Sequence, residues 1–189
     1  MTSPEFSGKG DGMKRFAPLA ALALLPISAC AADNTAGNGA AVPCPHVAVL
    51  EQAQQVTEFL PGRTDVAAEI TTARITGVAG ACILHQGRHE LAVSLKAGFA
   101  ASDGPADHNA PVTLPYFVAI TDGDKILSKA EYKITLKFDG NASRAEATSK
   151  PVKLVMPGNS SSERLDVLVG FEMTPDQLAY STAHPMAAP

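Results

Sequence analysis

The sequence predicts an all-β fold, an antiparallel immunoglobulin-like or fibronectin-like β-sandwich with a short C-terminal helix. Three observations lead there. Apolar and polar residues alternate with period two along several runs, which gives each strand one buried and one solvated face. Turn-forming residues separate those runs at intervals of roughly a dozen residues. Only one stretch carries a helix-start signal. About six to eight strands of this kind need a two-layer solution, with a small closed barrel as runner-up. The 189 residues include no tryptophan, so the Cys–Trp–Cys pattern of antibody-type domains is absent.

Between Ala67 and Val78 the alternation slips, because Ile70 and Ile75 fall on opposite parities. A β-bulge near Thr72-Ala73 is expected to restore the register. His85-Gln86-Gly87-Arg88 reads as a turn, after which Leu91, Val93, Leu95, Ala97 and Phe99 share one face. Pro115 to Thr121 is a continuous apolar run, as a central strand requires, with Pro115 expected at its first position. Asp122-Gly123-Asp124 supplies the next turn. Along Glu131 to Phe138, Tyr132, Ile134, Leu136 and Phe138 face inward and Glu131, Lys133, Thr135 and Lys137 outward. Pro157-Gly158-Asn159-Ser160 opens a polar loop before Leu165, Val167, Val169, Phe171 and Met173. Thr174-Pro175-Asp176-Gln177 offers an N-cap, proline at N1 and glutamine at N3, so a short helix runs toward Tyr180. The tail from Thr182 reads as a frayed end.

The start of the chain carries an address. Lys14 and Arg15 precede an apolar stretch from Phe16 to Ile27, too short for the roughly 20 residues that span a bilayer but suited to an export signal. Pro18 and Pro26 and the lack of a polar face argue against a buried core helix. We read Met13 as the true start. The signal ends at Ile27-Ser28-Ala29-Cys30, which resembles the lipobox of bacterial lipoproteins. That resemblance implies cleavage before Cys30 and acyl chains on its sulfur, enough buried CH₂ groups to hold a protein on a membrane. Ala31 in place of Asp leans toward the outer membrane by likeness to enterobacterial lipoproteins.

Ala31 to Pro43 is small and polar apart from Val42 and reads as a flexible tether, with a reach of roughly 20 Å. The expected organisation is upstream residues and signal peptide over 1–29, a lipidated tether over 30–43, a sandwich over 44–180 and a disordered tail over 181–189. Three basic and three acidic residues precede Cys44, leaving 12 Lys and Arg against 16 Asp and Glu. A nucleic-acid binder driven by bulk positive charge is excluded.

With Cys30 committed to lipid, two of the three cysteines remain, Cys44 and Cys82. An even pair in an exported domain reads most simply as a disulfide, closing a loop of about 39 residues. A metal or redox pair lacks the close Cys-x-x-Cys spacing.

No catalytic constellation stands out. His85 and His89 have the spacing zincins use but straddle a turn and lack the HExxH glutamate. His46 or Asp103 would be the third ligand of such a site, and exposed turn histidines are the plainer reading. His108 sits beside Asp107, but sequence neighbours rarely share a productive geometry. Asp122-Gly123-Asp124 has too few ligands for calcium. Ser160-Ser161-Ser162 lies in a polar loop without a Gly-x-Ser-x-Gly elbow. No metal and no cofactor is expected. Lys125, Lys129, Lys133 and Lys137 share one parity and form a possible partner-binding stripe, or a solvated face that discourages edge aggregation.

Lipobox, tether and sandwich together resemble the small single-domain lipoproteins of α-proteobacteria. Cys44-Pro45, Pro115-Tyr116-Phe117-Val118-Ala119, Val169-Gly170-Phe171 and Pro175-Asp176-Gln177-Leu178 carry the likeness in the domain. It implies location and fold, not chemistry. The expectation is a non-enzymatic envelope protein, held on the periplasmic side of a membrane, that binds a protein partner as adaptor or accessory subunit. A small-ligand or metal carrier is the alternative.

Overall fold

A computed structural model describes residues 44–185; the expected anchor Cys30, the signal and the tether lie outside the described residues, as do 186–189. Nine strands and one α-helix occur among the described residues. The strands are β1 (His46–Val49), β2 (Gln55–Phe59), β3 (Glu69–His85), β4 (Glu90–Asp103), β5 (Val112–Asp122), β6 (Lys125–Leu136), β7 (Arg144–Thr148), β8 (Val152–Pro157) and β9 (Leu165–Phe171), followed by α1 (Pro175–Ala183). They form two sheets, one in the order β1-β9-β5-β6, the other in the order β2-β3-β4 with β7 and β8 sharing the far edge of β4. This is the sandwich the alternation predicts, with the short helix appended. All pairs are antiparallel except β1 with β9.

The core lies between the sheets. From β4 come Leu91, Val93, Leu95, Ala97 and Phe99; from β5, Val112, Leu114, Tyr116 and Val118; from β9, Val167, Val169 and Phe171; all are buried. Phe99 sits at its centre, its ring centroid 5.0 Å from that of Tyr116 and 5.8 Å from that of Phe171, spacings at which tilted aromatic pairs attract. Burying each such ring contributes about 2–3 kcal/mol before the entropy of ordering is subtracted.

Several sequence expectations shift in detail. The bulge in β3 falls at Thr76, between the Ile75–Phe99 and Gly77–Gly98 pairs, rather than at Thr72-Ala73. The buried side chains Thr71, Ala73 and Ile75 precede it, so the inward parity holds for longer than the pattern implied. Pro115 is the fourth residue of β5, not the first. Its carbonyl accepts from the Glu172 amide at 3.0 Å, so its ring nitrogen points toward β9 just past that strand's end, where only the reciprocal bond to Glu172 is forgone. The capping box forms: Gln177 N–H donates to Thr174 Oγ1 at 3.2 Å, and Thr174 N–H donates to Gln177 Oε1 at 2.8 Å. The helix continues through Thr182 and Ala183, which are not a frayed tail.

The strands β7 and β8 act as one edge broken at Ser149-Lys150-Pro151. Ser149 bridges the break, donating its N–H to the Ala97 carbonyl at 2.9 Å and accepting the Ala97 N–H on Oγ at 3.0 Å. Gly170 in β9 lets the turn at Glu51–Ala53 close over the outer face of the first sheet. A Cβ there would lie 2.7 Å from Ala53 Cβ and 2.8 Å from the Phe117 ring.

Candidate functional site

The pairing registers fix what lies at each end of the sandwich. His46, Asp166, Thr121 and Ile126 are successive partners across the first sheet. The start of β1 and the β5–β6 turn therefore share one end. In the second sheet the same end carries the β3–β4 turn, because β1 packs on β3 and Cys44 is close enough to perturb the Cys82 thiol. The two thiols are neighbours across the open side of the sandwich. The bond expected between them is not formed; both are free, Cys44 exposed and Cys82 half-buried. Burial first, and then Cys44 beside it, pushes the Cys82 thiol up to about 12. At neutral pH it holds its proton and is a poor nucleophile.

The lysine stripe is interrupted. An extra residue, Leu127, bulges out of β6 between the Ile120–Ser128 and Thr121–Ile126 pairs, which turns Lys125 to the face opposite Lys129 and Lys133. Lys129 is committed: its Nζ lies 2.5 Å from Glu172 Oε2 and 4.7 Å from the centroid of the Phe117 ring. Glu131 stands between Lys129 and Lys133 on the same face. Lys137 is exposed beyond the end of β6. Four lysines spaced four apart keep one face only on an unbulged strand.

The histidines do not converge. His85 and His89 are exposed at the β3–β4 turn, His89 in the left-handed region at φ 51°. Asp103 lies at the other end of β4, about 43 Å away at roughly 3.3 Å per residue. His46 Nδ1 is 3.3 Å from Asp166 Oδ1 instead. Among the described residues no group of three or more His, Cys, Asp or Glu is arranged to hold a metal ion. The hydroxyl of Ser162 is buried and donates toward the Pro157 and Asn159 carbonyls at 2.7 and 2.6 Å, a structural role.

Sequence reasoning missed a carboxyl pair at the opposite end from Cys44. Asp107 is 9% exposed and faces Asp103, while its sequence neighbour His108 contributes only a weaker opposing attraction. Burial, then Asp103, raises the Asp107 carboxyl above the ordinary range. Asp103 Oδ1 and Asp107 Oδ2 are buried without a hydrogen-bond partner. No period or motif announces this pair; the loop conformation makes it.

A cleft of about 610 Å³ opens between β2, the loop after it and α1, lined by Phe59, Leu60, Arg63, Thr174, Gln177 and Tyr180 among others. The Phe59 and Tyr180 rings meet edge-on at 4.8 Å. Arg63 donates to both carboxylate oxygens of Asp65, at 2.8 and 2.7 Å, and Glu58 is raised by burial. Phe59 pairs with Glu69. Along β3 that places the cleft about 43 Å from Cys82. The cleft thus has a mixed lining, with Phe59, Leu60, Pro61 and Tyr180 beside Glu58, Asp176, Gln177 and three threonines, and one engaged cation. No protein-family model, no curated protein and no solved structure matches this chain.

Proposed function

We propose that the protein is a lipoprotein anchored through acylated Cys30 on the periplasmic side of a bacterial membrane, the outer membrane in preference to the inner. There it serves as a non-enzymatic binding or adaptor subunit of an envelope assembly. The observation that carries this reading is the succession Lys14-Arg15, Phe16 to Ile27 and Ile27-Ser28-Ala29-Cys30, followed by the tether Ala31 to Pro43. In an oxidising compartment the proximity of Cys44 and Cys82 supports their joining as a disulfide that ties β1 to β3. Anchored at the Cys44 end, the domain holds its cleft and α1 toward the periplasm, available to a partner.

Intact mass of the protein recovered from its own envelope tests the anchor. The expected species begins at Cys30 with a diacylglyceryl group and has lost two hydrogens to the Cys44–Cys82 bond. An unprocessed and unacylated N-terminus would overturn the proposal. Cross-linking in cells before recovery identifies the partner.

A second reading, a small-ligand carrier, is favoured by the cleft between Phe59 and Tyr180. Native mass spectrometry of the envelope-derived protein separates the two. A small bound mass that is lost on Tyr180→Ala supports the carrier.

A further inference from the structure

We infer that the segment Lys125–Lys129 of β6 rests on the lipid surface of the membrane that carries the anchor. The inference rests on the anchoring proposed above and adds which face of the domain the membrane meets.

Three observations lead to it. Ile126 is 62% exposed and the bulged Leu127 48%, side by side on a strand paired on one edge only, with Lys125 and Lys129 flanking them. Two adjacent exposed apolar side chains suit the headgroup boundary, and the exposed Lys125 beside them reaches phosphate with its ammonium group while Lys129 stays paired with Glu172. Next, this segment lies at the end of the sandwich where the chain enters at Cys44, since Ile126 is in register with Thr121, Asp166 and His46. Thirteen residues separate Cys44 from Cys30, an average reach of roughly 20 Å. Cys82, beside Cys44, and Glu69 near the far end are about 43 Å apart along β3. The Cys44 end is therefore the one that meets the bilayer most often. Finally, a second copy or an added peptide strand fits this edge poorly. The bulge at Leu127 disrupts the ladder a neighbouring strand would need, and the lysines oppose edge pairing.

Asp122 and Asp124 in the adjoining turn work against simple electrostatic adhesion, so the contact is chiefly apolar, through Ile126 and Leu127. Ile83 is 61% exposed near the same end but belongs to the other sheet, on its outer face. It stays in water when the β6 edge is down.

The chain has no tryptophan, so one introduced indole reports its own surroundings. Ile126→Trp, Ile83→Trp and Leu178→Trp are made in the full chain, exported and acylated in cells. Intact mass is measured on each. The proteins are then reconstituted into vesicles of phosphatidylethanolamine with a minority of phosphatidylglycerol, with and without brominated acyl chains. Brominated lipid is expected to quench about half the emission from position 126, as for a side chain at the acyl boundary, and to leave positions 83 and 178 unchanged. An acylated, vesicle-bound chain whose position 126 is no more quenched than position 83 overturns the inference while the anchor stands. Shielding of position 126 without bromine quenching, accompanied by a dimer in cross-linking, overturns it in favour of a second copy. A mass without acyl chains removes the anchoring proposal itself, and this inference with it.

Discussion

The thiol of Cys82 stays protonated at neutral pH because burial and Cys44 raise it to about 12, whereas Cys44 lies exposed where the domain begins. Reaction with an oxidant or an alkylating agent therefore starts at Cys44. Limiting maleimide added to the reduced protein at neutral pH should label Cys44 well ahead of Cys82 in a peptide map. Equal labelling would show that burial does not protect Cys82. Asp107 makes the opposite kind of statement, about stability. Its carboxyl is raised in the folded protein by burial and by Asp103, so the native state binds the proton more tightly than the unfolded chain does. Stability from this group is present below the unfolded carboxyl value and is lost as pH rises through the folded one. Asp107→Asn removes the charge and gives Asp103 a donor. It should stabilise the domain at neutral pH by on the order of 1 kcal/mol, with the gain vanishing in mild acid. Thermal melts of both proteins across that range check the sign; a loss of stability at neutral pH would refute it.

Each element is shaped by a close contact or a local break as much as by its periodicity. Gly170 admits Ala53 and Phe117 at distances a methyl group forbids. Gly170→Ala should cost about 1–3 kcal/mol, as overpacking does, measured by denaturant unfolding. Adding Ala53→Gly should recover part of the loss, because it removes the nearest atom; no recovery would place the strain at Phe117 alone. Alternation in Glu90 to Ala100, Glu131 to Phe138 and Leu165 to Phe171 made those strands and their inward faces legible from the residues. The capping box of α1 was legible for the same reason, since its partners are three residues apart. The strands β1 and β2 were not. His46-Val47-Ala48-Val49 shows no alternation and becomes a strand only by parallel pairing with a segment more than a hundred residues later. The bulge at Leu127 was equally hidden, and it is what turns Lys125 away from the other lysines.

For the whole molecule, the meeting of Cys44 and Cys82 joins the edge of one sheet to the edge of the other. Oxidation would close a loop of about 39 residues, worth up to about 4 kcal/mol if unstrained. The oxidised protein should melt about 10 °C above the reduced one, by differential scanning calorimetry with and without reductant. Equal melting temperatures would show that the bond is strained or that the reduced chain is already closed there. The faces of the alternating strands and the capping box of α1 were determined by the sequence alone, because turn, capping and period-two patterns are local and need no partner. Strand order, the ends at which Cys44, Ile126 and the cleft lie, and the pairing of Asp103 with Asp107 were decided only by the tertiary structure. Each depends on which distant strand supplies the next row of hydrogen bonds, and a local pattern carries no record of that choice.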